Sequence, residues 1–120
     1  VINSAINNKL NKLKIEWNKE SCITIVLCSK GYPANYIKNI EIKNLSNIIN
    51  DNNNQLFHAG TYKRNNRIFS NGGRVLNITT LSKNLSEARK KSLITLKKIN
   101  WNEGFFRKDI GWRVIKNKKS

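Results

Sequence analysis

An α+β fold, with a small mixed or antiparallel sheet, a hairpin and one or two flanking helices, follows from three features of this 120-residue sequence. Short β-branched runs outnumber helical patterns. The two kinds are mixed along the chain. One segment after residue 83 carries both a helix cap and a one-sided apolar stripe. The length fits one domain, and a hydrophobic content of 38% supplies a modest core. No period of repeats is apparent.

Ile2, Ile6, Leu10 and Leu13 recur at helical spacing, so residues 2–13 are expected to form an amphipathic helix. Glu16-Trp17-Asn18 is a connector, and Ile23 to Cys28 is an apolar run of strand length. It ends at Ser29-Lys30-Gly31-Tyr32-Pro33. Pro33 fixes its own φ and biases Tyr32 toward extended geometry, so this strand-end loop is expected to be rigid. Ile40 and Ile42 alternate with Glu41 and Lys43, as an edge strand would. Asn50 to Asn54 has turn chemistry and reads as a mobile loop. Leu56 to Lys63 and Arg67 to Ser70 frame Arg64-Asn65-Asn66, a hairpin signal because Asn accepts positive φ. Val75 to Leu81 is a third strand candidate.

Asn84-Leu85-Ser86-Glu87 has the capping-box pattern, a cap residue with a glutamate three positions on. Leu85, Ala88, Ser92, Leu96 and Ile99 then share one helical face, with Arg89, Lys90, Lys97 and Lys98 outside it. Trp101 to Phe106 is expected to fold back into the core. Trp112 to Ile115 is expected to close the sheet as a strand, and Lys116-Asn117-Lys118-Lys119 reads as a short frayed tail.

Two segments carry chemistry. In Asn71-Gly72-Gly73-Arg74-Val75-Leu76, two glycines let the main chain approach a ligand. Their amides are candidate donors to an anion, and Arg74 adds a planar fork suited to phosphate or carboxylate. The structural alternative is a tight turn, with Arg74 paired to an internal acid such as Asp109. Lys30, Gly31, Tyr32 and Pro33 form the second candidate, with one cation and one ring, against a purely strand-seating loop. His58 is a candidate proton shuttle, a common role of histidine, but no nucleophile or acid is paired with it in sequence. It reads as a hydrogen-bonded structural residue. Arg107, Asp109 and Arg113 suggest an internal ion pair holding the C-terminus, with substrate contact as the second reading.

Four blocks stand in order: Ser29-Lys30-Gly31-Tyr32-Pro33, Phe57-His58-Ala59-Gly60-Thr61, Asn71-Gly72-Gly73-Arg74-Val75-Leu76, and Arg107-Lys108-Asp109-Ile110-Gly111-Trp112-Arg113. With this order and spacing, from about Trp17 to Ile115, the chain resembles the C-terminal part of the glycinamide ribonucleotide synthetase (phosphoribosylamine–glycine ligase) family of the ATP-grasp superfamily. Ala34, Asn39 and Asn77 stand where that family commonly has glycine, which bears on local loop geometry.

The resemblance implies residues 17–120 as a C-terminal domain of the rudimentary hybrid-motif type. It implies residues 1–16 as a helix and connector packing on a preceding ATP-grasp domain. The implied reaction is ATP-dependent joining of glycine to 5-phosphoribosylamine, giving glycinamide ribonucleotide, ADP and phosphate in de novo purine biosynthesis. Gly72, Gly73, Arg74, Lys30, Gly31, Tyr32 and Pro33 are the implied substrate-binding residues, with no catalytic residue assigned. ATP and magnesium (or manganese) belong to the complete enzyme, whose metal-holding glutamate and asparagine lie outside this segment. The expectation is a fragment, a trimmed chain or a degraded gene product, without ligase activity by itself.

The formal net charge of +16 raises nucleic acid as a partner. The lysines, however, are dispersed, the Asn-Lys-Ile richness is what AT-rich codons favour, and no aromatic strand motif for stacking bases appears. No nucleic-acid partner is therefore expected. The alternative is a non-catalytic basic module holding nucleic acid or a phosphorylated metabolite, and a third reading is a structural remnant. No apolar run approaches the ~20 residues of a membrane helix, so no membrane partner is expected. The start has no signal-peptide pattern, which makes cytoplasmic the expected location. Two cysteines and one histidine fall short of a four-ligand zinc site. Cys22 and Cys28 are expected to be buried free thiols.

Overall fold

The computed structural model describes residues 1–48 and 52–117. In chain order the elements are α1 (Ile2–Ile6), a 3-10 turn (Leu10–Lys12), β1 (Ser21–Ser29), β2 (Glu41–Ile42), a second 3-10 turn (Leu45–Asn47), β3 (Asn54–His58), β4 (Thr61–Arg64), β5 (Arg67–Ser70), β6 (Arg74–Ser82), α2 (Leu85–Leu96), β7 (Gly104–Phe105) and α3 (Trp112–Asn117). Among these, the strands form two sheets, of order β3-β6-β1-β7 and β2-β5-β4. All their pairings are antiparallel, which settles the choice between a mixed and an antiparallel sheet.

The core follows from the pleat. Ile23, Ile25 and Leu27 alternate along β1 and turn to the same side as Val75, Leu76 and Ile78 of β6. Two successive core residues on β6 are possible because the β1–β6 register shifts between Leu27 and Cys28, as a bulge does. Helix α2 covers this face with Ala88, Ser92 and Leu96. Buried between them, the Ser92 hydroxyl donates to Thr80 Oγ1 at 2.8 Å, and Thr80 donates onward to Asn54 Oδ1 at 3.0 Å. That chain satisfies buried hydroxyls that would otherwise destabilise the core and ties α2 to β6 and β3. The other face of the large sheet carries Cys22, Thr24 and Val26 of β1, with Asn77 and Thr79 of β6 beside them.

Local chemistry sets the element ends. Asn84 caps α2, its Oδ1 accepting from the Glu87 amide at 2.9 Å. The reciprocal half of the expected capping box is absent, because the Glu87 carboxylate accepts from Ser82 Oγ at 3.2 Å and pairs with Lys83 at 3.0 Å. Asn65 and Asn66 both have positive φ, 46° and 62°, and link β4 to β5 as a two-residue hairpin turn. Trp101 is buried and Phe106 packs against the core, as expected, while Phe105 is largely exposed.

Five expectations are corrected. The helix over residues 2–13 is two short pieces, because Asn8 adopts φ 53° and the Asn7 side chain bonds back to Asn3 O at 2.7 Å. The run Leu56 to Lys63 is not one strand: it crosses at Ala59-Gly60 from the large sheet to the small one. Gly60 permits that crossing, since a Cβ there would stand 2.8 Å from Gly72 Cα. The run Trp112 to Ile115 is helix, not strand; Gly111 at φ +79° turns the chain and accepts the Ile115 amide at 3.1 Å. Cys22 is exposed and Cys28 only half-buried, so the thiols are free but not both interior. Finally, Asn54 opens β3 and Asn52-Asn53 form a turn, whereas Asn50 and Asp51 of the expected loop lie outside the described residues, as do Lys118 and Lys119 of the tail.

Candidate substrate-binding surface

The two sequence-marked loops interlock at the end of β1. Ser29, fully buried, closes that strand. Its amide donates to Gly73 O and its hydroxyl to Gly72 O, each at 2.8 Å. The chain then turns, with the Tyr32 amide donating to Ser29 O at 3.0 Å. Gly31 makes that turn possible. Its φ is +96°, and a Cβ would lie 2.1 Å from the Asn35 carbonyl oxygen. The Tyr32 ring folds over Gly73, so close that a Cβ on Gly73 would stand 2.1 Å from the ring carbon Cδ2. Gly72 and Gly73 therefore serve close approach, against Gly60 and Tyr32 respectively, and neither has positive φ.

The remaining members have different partners. Arg74 is exposed and sits opposite Cys28 in the β1–β6 register. Burial pushes the Cys28 thiol up from its ordinary range, and the nearby Arg74 charge opposes that rise. Lys30 leads away from the glycines, its amide donating to Glu103 O at 2.8 Å and its ammonium standing 3.5 Å from Glu103 Oε2. Pro33 follows on the exposed side of the turn. So the Tyr32 ring meets Gly73 next to Arg74, while Lys30 is engaged with Glu103.

The alternative Arg74–Asp109 pairing is not formed. Asp109 instead accepts both fork donors of Arg107, at 3.1 and 2.8 Å. Those bonds hold the Asp109 carboxyl below its usual range. The pair is exposed, and Arg113 lies over the Trp112 ring at 5.5 Å, so the three residues make no internal ion-pair cluster. His58 Nδ1 lies 3.0 Å from Thr61 Oγ1 at the β3–β4 corner, the structural role expected of it. Among the described residues no three His, Cys, Asp or Glu side chains come together as a metal site would need. Sequence reasoning missed Ser29 and Gly60 as the parts that fasten the loops. Both stand inside the marked blocks, but only the tertiary approach of β3, β6 and β1 gives them that task.

Both loops lie within residues 22–113, the stretch matched by the family model "Phosphoribosylglycinamide synthetase, C domain". The chain belongs to this family. It is 38% identical over 120 residues to the phosphoribosylamine–glycine ligase of Brucella melitensis, covering 100% of this chain and 28% of that protein. A chloroplastic phosphoribosylamine–glycine ligase of Arabidopsis thaliana is 38% identical over 121 residues, covering 99% of this chain and 23% of that one. In fold, this C domain resembles the crystal structure of the phosphoribosylamine–glycine ligase of Thermotoga maritima, with a TM-score of 0.69 at 24% identity over 90% of this chain and 27% of the other. The C domain thus spans about a quarter of the length of the relatives it matches.

Proposed function

We propose that this chain forms one wall of the site of an ATP-dependent ligase that joins glycine to 5-phosphoribosylamine, yielding glycinamide ribonucleotide, ADP and phosphate in the cytoplasm. The reading is supported by kinship with proteins named for that reaction. It is carried by one observation: the interlocked glycine loops hold Arg74 exposed beside half-buried backbone, and among the described residues no acid pairs with it. An unpaired guanidinium beside close-packed glycines is a receptor for anionic oxygens. Glycine activation by phosphoryl transfer gathers several anions at once, and its catalysis is mainly positioning and charge stabilisation. In this reading Arg74 holds negative charge, the Gly72 and Gly73 amides are donors beside it, and the Tyr32 ring packed on Gly73 walls one side.

ATP and magnesium (or manganese) supply the phosphoryl group and its charge neutralisation in the complete ligase. The residues described here offer no metal cage of their own, so no step is assigned to the metal on this chain. Residues 1–16 fit a surface against the preceding ATP-grasp domain, since Ile2, Ile6, Leu10 and Ile15 are all exposed.

The test is Arg74→Ala in the ligase that carries this domain. Losing one such donor in a water-poor cleft costs about a hundredfold in turnover, with the melting temperature nearly unchanged. A lowered melting temperature with normal turnover per folded molecule would take Arg74 out of the site.

A further inference from the structure

We propose that Ser29 is a positioning residue, whose hydroxyl orients the Gly72–Gly73 peptide so that the Gly73 amide, together with the Arg74 guanidinium, receives a phosphate group. The inference rests on the reading that Arg74 meets an anionic substrate, and adds to it the residue that sets the backbone donor.

The geometry runs through one peptide plane. The Gly72 carbonyl accepts from Ser29 Oγ at 2.8 Å, and the next carbonyl, of Gly73, accepts from the Ser29 amide at 2.8 Å. In a trans peptide the N–H points opposite to the preceding C=O. Anchoring the Gly72 oxygen on Ser29 therefore turns the Gly73 N–H away from β1. Among the described residues that N–H has no hydrogen-bond partner. An antiparallel pair of Ser29 with Gly73 would ordinarily exchange two bonds, but here only the Ser29 amide donates, and Ser29 O accepts from the Tyr32 amide. The Gly73 donor is thus left out of the sheet, and the Ser29 hydroxyl aims it. Ser29 is fully buried and cannot itself touch substrate.

Glycines have little intrinsic preference for one peptide orientation, so this plane needs an external anchor. A carbonyl free of Ser29 Oγ could rotate and present oxygen where the amide stood, replacing attraction for an anion by repulsion. The phosphate could belong to phosphoribosylamine or to ATP, and the two are separated by which Michaelis constant responds.

The experiment uses the ligase carrying this domain, with Ser29→Ala, Ser29→Cys and Arg74→Ala prepared alongside. Ser29→Cys keeps nearly the buried volume but donates weakly. The expected result is a rise of about tenfold in KM for one phosphorylated substrate, the size of one hydrogen bond to a charged group. KM for glycine and the melting temperature of Ser29→Cys stay close to those of the parent. A rise confined to 5-phosphoribosylamine assigns the site to its phosphate, and a rise confined to ATP assigns it there. If Ser29→Cys restores both stability and KM while Ser29→Ala does not, Ser29 only fills space and the proposal is overturned. Arg74→Ala separates the two failures. Loss of turnover there with normal kinetics in both Ser29 variants removes only the positioning role, whereas normal turnover in Arg74→Ala removes the underlying reading.

Discussion

Tyr32 and Gly73 make one interlock, and its tightness is testable. A methyl group on Gly73 would stand 2.1 Å from Tyr32 Cδ2 and 2.6 Å from Cε2, far inside van der Waals contact. Gly73→Ala must therefore push the ring aside, at about 1–3 kcal/mol of stability, as overpacking generally does. Tyr32→Ala removes the ring carbons that clash and loses the packing of the ring. The double variant should then be more stable than the sum of the single losses, by chemical denaturation of all four proteins. Strict additivity would mean that ring and glycine do not meet. At this scale the sequence was partly legible. Gly72, Gly73 and Arg74 stand out as a group by composition alone, but the reason for the glycines did not. Close approach to Tyr32 and Gly60 joins residues about 40 and 12 positions apart, and no local pattern encodes such a meeting.

Helix α2 illustrates what local chemistry does encode. Its cap, its buried stripe and its basic outer face were all readable from Asn84 to Lys98, because capping and helical periodicity act within a few residues. Removing the cap by Asn84→Ala takes away the acceptor for the Glu87 amide and should lower stability by about 1 kcal/mol. Thermal melts of Asn84→Ala and Asn84→Asp check this. Asp should retain most of the stability as an alternative cap, and an unchanged melt in the Ala variant would contradict the capping assignment. The hairpin was equally local, since two asparagines with positive φ suffice for the turn. Other elements depended on distant partners. Trp112 to Ile115 has strand-like composition, yet Gly111 and the Asp109 carbonyl start a helix there. The α1 segment has helical spacing but buries none of its residues. Without a face to pack on, a short helix full of asparagine stops early. The split between β3 and β4 falls at Gly60, which meets Gly72 and has backbone bonds to Arg74 and Asn71.

Across the whole molecule, a net charge of +16 is the most conspicuous property and the least informative about the site. Seven carboxylates serve 23 lysines and arginines, so most cations face solvent for want of partners. Arg74 differs from them by following Gly73, where the two loops interlock. The family, too, was legible from four short blocks, whereas the two-sheet arrangement that brings three of them together was not. None of the described helices is long and apolar enough to cross a membrane. In the proposed role this chain supplies one wall of a ligase site. The most direct test of that role is a chimera in which this chain replaces the matching 28% of the Brucella melitensis ligase. The measurement is ADP formation dependent on both glycine and 5-phosphoribosylamine, run beside the 120-residue chain alone. Activity is expected in the chimera and none in the isolated chain. A folded chimera without activity, or an isolated chain that forms ADP, would contradict the proposed role.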